Sequence, residues 1–325
     1  MNLTAEVVEF AMARPLVITG YTFQSIKTVH VTLHDQNHRG VGESVGTYFL
    51  GETADSMLNE IRAIASELFS GITQAELKEL MPACGARTAV DCALWDLRAK
   101  QAGKTIWDIL GVVPEPLTTV FTLGIDEPDA MADAARDAQS YPQLKVKLDE
   151  SRPVEKLEAI RQARPDAVVI VDVNQGWNFE ELKEYAPALG RLGVAMIEQP
   201  LARSADEVLE GYRAPVPLGA DESCLNLKEF ETIRERYQVI NVKLDKCGGL
   251  TEGLELVRAA QAAGKQVMVG NMMGSSLSMA PSFVIGLHSR FVDLDGPLLL
   301  SGDIEEGLAY LPGGQVNPPS PELWG

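Results

Sequence analysis

The chain has 325 residues, 46% of them apolar, which is enough for the core of a full barrel plus a smaller domain and excludes a disordered chain. Its 28 Lys and Arg against 46 Asp and Glu leave a formal charge of −18 and a pI near 4.7, which argues against nucleic acid or an anionic membrane surface as partner. No stretch approaches the roughly 18 to 20 consecutive apolar residues of a membrane span, and the start Met1-Asn-Leu-Thr-Ala-Glu6 lacks the basic and apolar regions of a secretory signal, so a cytoplasmic protein is expected.

Near the start, Val29, Val31 and Leu33 alternate with His30, Thr32 and His34, the pattern of a half-buried strand, and Gln36-Asn-His-Arg-Gly40 turns the chain into a second strand ending near Glu43. Three helical stretches follow. The clearest runs from about Ala86 to Gln101, with Val90, Ala93, Leu94 and Leu97 on one face and Gly103 available to end it. Residues 1–112 are therefore expected to form an α+β domain. Beyond them the plan changes. Apolar runs rich in Val, Ile and Leu recur at Val120–Ile125, Leu144–Leu148, Val168–Val173, Val194–Ile197, Val216–Ala220, Val239–Leu244, Gln266–Val269 and Phe291–Leu294. Segments of helical spacing, such as Val154, Leu157 and Ile160, separate them. Repeated βα units predict a parallel barrel. After the eighth run, Gly296-Pro-Leu-Leu-Leu-Ser-Gly302 and Pro318-Pro-Ser-Pro321 show no helical repeat. The expected fold is thus α/β, a modified TIM barrel of (β/α)7β type over 113–299, with an N-terminal α+β capping domain on which 300–325 packs back. Cys84, Cys92, Cys224 and Cys247 lack C-x-x-C spacing and read as reduced, structural thiols.

Charged residues collect at the C-terminal ends of these runs, where the βα loops of a barrel open on one cavity. Asp172, Glu198 and Asp221 come from three successive strands. Oxygen ligands without His or Cys suit a hard cation, most simply one Mg²⁺ per subunit; any one of them alone reads first as a helix cap or an ion-pair partner, and it is all three at matching positions that point to a metal. Lys145 and Lys147 share a face that points inward if Leu144 and Val146 pack outward, and Lys243 comes from across the barrel. Two lysines on opposite sides of a metal-bound substrate suit removal of a proton from one face of a carbon and its return to the other. Burial and a nearby cation are expected to lower their pKa. Asn174 shares the face of Asp172, as a substrate contact or a support. Gln199 and Glu222 point away by strand parity, and Asp245 and Lys246 read as structural. Asp293 and Asp295 share one face and precede Gly296-Pro297, so they make either a site for a cationic group or a turn. Ser275 reads as a helix N-cap whose amides can take an anionic group. His30, His34, His38 and His288 lie away from the strand ends, which argues against a histidine base.

Lys145-Val-Lys147, Val171-Asp-Val-Asn-Gln-Gly176, Ile197-Glu-Gln-Pro200, Ala220-Asp-Glu-Ser223, Asn241-Val-Lys-Leu-Asp-Lys-Cys-Gly-Gly249 and the helix segment Ala89–Leu97 together resemble the muconate lactonizing enzyme subgroup of the enolase superfamily, over nearly the whole chain. The resemblance implies Lys bases acting on a metal-stabilised enediolate. Asp293-Leu-Asp295-Gly-Pro is similar to the feature with which dipeptide epimerases hold a free α-ammonium. Inversion of the C-terminal residue of L-Ala-D/L-Glu or a related dipeptide is then implied, with Lys147 and Lys243 as the acid-base pair and Lys145 stabilising the enolate. The segment Ile18–Gln24 departs from the glutamate-specific pattern in having no basic residue. Tyr21 and Phe23 there read either as the wall of an apolar pocket or as packing on the barrel rim. Other readings are an N-acylamino acid racemase, o-succinylbenzoate synthase or cycloisomerase of the same subgroup, and a non-catalytic metal-carboxylate binder. A homo-oligomer is left open.

Overall fold

A computed structural model describes residues 2–325. Strands β1 (Asn2–Ile18), β2 (Tyr21–Asp35) and β3 (His38–Ser44) form an antiparallel sheet in that order. The expected hairpin is β2–β3. β1 is an addition whose side chains are mostly half-buried or exposed, so its sequence shows little alternation to read. Val29, Val31 and Leu33 are fully buried against the helix Gly85–Ala102, which ends on a left-handed Gly103 at φ 59°. That helix rides directly on β3. A Cβ at Gly42 would stand 2.2 Å from the Ala89 carbonyl oxygen and one at Gly40 would stand 2.3 Å from that of Ala93. Gly42→Ala is therefore expected to cost about 1–3 kcal/mol of stability by overpacking, seen as a lower Tm in thermal unfolding.

A two-residue strand β4 (Leu117–Thr118) leads to eight parallel strands in sequence order. These are β5 (Phe121–Leu123), β6 (Gln143–Lys147), β7 (Val168–Asp172), β8 (Val194–Glu198), β9 (Leu218–Ala220), β10 (Val239–Val242), β11 (Gln266–Val269) and β12 (Phe291–Val292). The Val120 amide donates to the Val292 carbonyl at 2.9 Å, which brings the two ends of the sheet together. Leu144, Val146, Val169 and Val171 face the helices in the main core, while Val120, Ile170, Met196, Val239, Met268 and Phe291 plug the interior. The lysines of β6 therefore point inward. One detail differs from the sequence reading: between β8 and β9 there is only a 3-10 turn, Asp206–Leu209, in a stretch closed by Pro215 and Pro217. Past β12 the only helix among the described residues is the short Gly296–Leu299.

Buried polar contacts join the N-terminal part to the barrel. Arg87 donates to the Gly248 and Cys247 carbonyls at 3.0 and 2.6 Å, and Asp91 accepts from the Thr251 amide and hydroxyl at 3.0 and 2.6 Å. Gly248 and Gly249 have positive φ, and a Cβ at Gly249 would stand 2.4 Å from the Asp91 carboxylate. At the other end of the chain, the Trp324 indole donates to the Cys92 carbonyl at 2.9 Å and the Gly325 amide to Asp96 at 2.7 Å. The small strands β13 (Tyr310–Leu311) and β14 (Gln315–Val316) extend β4 into a three-stranded sheet. The four cysteines are free. Among the described residues no helix is long and apolar enough to cross a membrane.

Candidate active site

The strand ends bring eight charged side chains to one place, all buried: Lys145, Lys147, Asp172, Glu198, Asp221, Lys243, Asp293 and Asp295. Lys145 Nζ lies 3.0 Å from Asp172, 2.9 Å from Glu198 and 2.8 Å from Asp293. Lys147 Nζ donates to Asp172 at 2.6 Å and to Asn174 Oδ1 at 3.0 Å. Lys243 Nζ lies 2.7 Å from Asp221. β10, which leads into Lys243, is the fourth strand on from β6 in an eight-stranded ring, so the two lysines approach from opposite sides.

A small cavity opens above them, lined by Lys145, Lys147, Lys243, Asn174, Asp293 and Asp295 and walled on its apolar side by Leu16, Ile18, Tyr48, Met273 and Leu299. Left-handed backbone at Asn174 (φ 45°), Gln199 (φ 36°) and Met273 (φ 64°) marks the points where the chain leaves the strands around it.

Supports for these groups are equally specific. Gln199 Oε1 accepts from the Asp221 and Ser223 amides at 2.9 and 3.0 Å, which fixes the turn that presents Asp221. Lys246 donates to Asp221 Oδ1 at 2.6 Å, Asn241 to Glu198 at 2.5 Å, and Asn271 to Asp293 at 2.8 Å. Lys246, Asn241, Asn271 and Tyr48 fall outside a strand-end reading: Asn241 lies inside β10, two residues before Lys243, while Lys246, Asn271 and Tyr48 lie beyond the strands or in the N-terminal part. Only the Asn241-Val-Lys-Leu-Asp-Lys motif held a signal for the first two.

Three expectations need correction. Tyr21 is not among the cavity-lining residues: it is 44% exposed and packs edge-on against Tyr48 at 4.8 Å, so Tyr48 holds the place at the wall. Ser275 does cap its helix, through the Leu277 amide at 3.1 Å, but its hydroxyl and amide are both engaged by the Glu43 carboxylate, leaving neither for a ligand. Glu222 does not point away. The strand ends at Ala220, parity lapses, and its carboxyl is buried beside the cluster, 3.4 Å from Asn174 Nδ2.

Burial and mutual charge set the protonation of the cluster. Burial would raise Asp172, but the ammonium groups of Lys147, Lys145 and Lys243 hold it down to about 2. Asp221 is likewise held well below the carboxylate range, against its burial, by Lys243 and Lys246. Burial and the neighbouring Asp172 push Glu198 up to about 7, and burial and Asp221 push Glu222 up to about 8. Burial and Asp293 push Asp295 up to about 8, while Lys145 holds Asp293 below its ordinary value against its own burial. The expected lowering of the lysines rests on a bound cation as well as on burial; from the protein's own groups alone, burial lowers Lys145 and Lys243, but the surrounding carboxylates outweigh it and keep both well above an ordinary lysine.

Asp172, Glu198 and Asp221 offer oxygen donors only, on three neighbouring strands, and Glu198 Oε2 makes no hydrogen bond although Lys145 is 2.9 Å away. This donor set fits a hard divalent cation. Among the described residues, no group of three or more His, Cys, Asp or Glu side chains is placed to hold a metal ion; the Lys145 ammonium lies between Asp172 and Glu198, and that of Lys243 beside Asp221.

Residues 2–111 match the mandelate racemase / muconate lactonizing enzyme N-terminal domain, and residues 129–298 match the enolase C-terminal domain-like model. The chain belongs to the enolase superfamily. Among relatives in this superfamily, an N-acetyl-D-glutamate racemase of a Pseudoalteromonas species is 41% identical over 91% of this chain and 94% of its own length. The L-Ala-D/L-Glu epimerase of Escherichia coli K12 is 38% identical over 92% of this chain and 94% of its own. A solved enolase family member from Agrobacterium tumefaciens, described as having homology to dipeptide epimerases and carrying sodium and L-Ala-L-Glu, superposes with a TM-score of 0.97 at 40% identity over 99% of both chains.

Proposed function

We propose that this enolase-superfamily chain is a metal-dependent dipeptide epimerase that inverts the α-carbon of the C-terminal residue. The observation that carries the reading is one cavity in which Lys147 and Lys243 face each other across three buried carboxylates while Asp293 and Asp295 lie to one side. Asp172, Glu198 and Asp221 would hold Mg²⁺, which when bound supplies a Lewis acid for the substrate carboxylate and stabilises the charge that develops there. One of Lys147 and Lys243 takes the α-proton and the other returns one to the opposite face. Lys145, held among Asp172, Glu198 and Asp293, places a fixed positive charge beside the developing enolate. Asp293 and Asp295 receive the free ammonium of the first residue. Asn174, a hydrogen-bond partner of Lys147, orients that lysine. In this arrangement residues 1–112 and 300–325 cap the barrel of 113–299.

The names of the relatives make L-Ala-D/L-Glu the first substrate to try. The cavity wall of Ile18, Tyr48 and Met273, with no arginine, supports uncharged second residues as well. A second reading is an N-acylamino acid racemase, favoured by the 41% identical N-acetyl-D-glutamate racemase. The buried Asp293/Asp295 pair weighs against it, because an N-acyl substrate brings no cation to it.

The test is incubation with Mg²⁺ and a dipeptide library in D₂O, read by mass spectrometry for deuterium at the C-terminal α-carbon. Absence of incorporation into every L,L-dipeptide would overturn the proposal. A second expectation concerns the lysines. Their ammonium forms are held by the carboxylates, and carboxylate charge taken up by a divalent cation no longer holds them. Addition of Mg²⁺ to metal-free protein is therefore expected to release protons, measured with an indicator in weakly buffered solution. Metal uptake without proton release would contradict this.

A further inference from the structure

A second groove, open to solvent, runs away from the cavity between the stretch Met12–Val17 of β1 and the helix Pro128–Asp137. It exists for two reasons. The chain makes only the short helix Gly296–Leu299 after the last barrel strand, so no full eighth helix covers this side, and the β1–β2 register slips between Ala11 and Leu16, so β1 does not seal it. Leu16, Thr122 and Leu299 line both spaces, which therefore adjoin at these three residues. The groove's own walls are apolar, with Met12, Met131, Leu298 and the stacked rings of Phe121 and Tyr141 at 4.6 Å, while Arg14, Asp126 and Asp137 stand exposed at its rim.

The junction lies at the proposed ammonium site. The Thr122 amide donates to Asp295 Oδ2 at 2.6 Å. An ammonium on Asp293 and Asp295 would place the first residue's α-carbon one bond away, and hence its side chain beside Thr122, the residue that separates the pair from the groove. We infer that the groove takes the side chain of the N-terminal residue, and that the substrates include dipeptides with a large apolar first residue as well as alanine. This rests on the epimerase reading.

The experiment measures kcat/KM for α-proton exchange on L-Ala, L-Leu and L-Phe dipeptides that share one second residue. The Leu and Phe substrates are expected within about tenfold of the Ala substrate, and Ala134→Phe, which fills the groove away from the cavity, is expected to lower the Leu-to-Ala ratio by about tenfold or more. Should Ala134→Phe not fold, Ala130→Leu on the same helix gives the same readout. A Leu substrate more than about a hundredfold slower than Ala in the unaltered protein, or a ratio unmoved in both variants, overturns the inference alone. No exchange with any dipeptide, L-Ala included, overturns the epimerase reading and this inference with it.

Discussion

Lys147→Ala and Lys243→Ala are each expected to lower epimerisation by about 10²- to 10⁴-fold, the usual contribution of a positioned acid or base. The two variants should fail differently. In the proposed reading each lysine would stand on one side of the substrate α-carbon, since β6 and β10 lie across the barrel from one another. A variant with one lysine can still take a proton from the isomer that faces it and return a deuteron to the same face. It therefore exchanges one epimer without inverting it, and its counterpart exchanges the other. Proton NMR in D₂O reads exchange, and chiral chromatography reads inversion. Near-normal inversion in either variant, or exchange of the same epimer in both, contradicts the two-base arrangement. Lys145→Ala is a useful contrast: Lys145 touches three carboxylates and serves neither face alone, so both epimers should slow together.

The parts of this site legible in the sequence are those governed by strand parity. Leu144 and Val146 pack outward, so Lys145 and Lys147 point in, and the same alternation sets Asp172 on β7 and Glu198 on β8. Parity holds only while the chain is a strand. At Asp221 and Glu222 it has already ended, and Glu222 enters the cluster that alternation would keep it from. Contacts between the two halves of the chain were less legible still. Ser275 reads correctly as a cap, but its carboxylate partner Glu43 is 232 residues away, and Tyr48 reaches the cavity from a short 3-10 turn in the N-terminal part. The upward pull of the carboxylates on the lysines was not legible for another reason. Burial and a nearby cation each lower an amine, whereas the opposing sum of several carboxylates around it is set by three-dimensional packing.

Asp295→Asn separates the dipeptide reading from the N-acylamino acid reading more cleanly than any change at Asp293, because Asp293 also holds Lys145 at 2.8 Å, whereas Asp295 touches neither lysine. Removing one member of a buried charge pair costs about 2–5 kcal/mol, so kcat/KM for a dipeptide should fall by about 10²-fold, chiefly through KM. An N-acetyl amino acid carries no ammonium, so any turnover of it should be little affected. The pH dependence follows from the carboxyl's raised pKa of about 8, caused by burial and by Asp293. Below that value Asp295 keeps its proton and the pair offers one negative charge; an incoming ammonium must displace the proton. Dipeptide KM is therefore expected to fall as pH rises towards 8, then to rise again as the substrate amine, with its own pKa near 7.7–8.0, loses its charge. Asp295→Asn should remove the falling limb and keep the rising one. Unchanged dipeptide kinetics in the variant, with the falling limb intact, would sink the assignment of this pair to the ammonium and leave the N-acyl reading as the better account of the cavity.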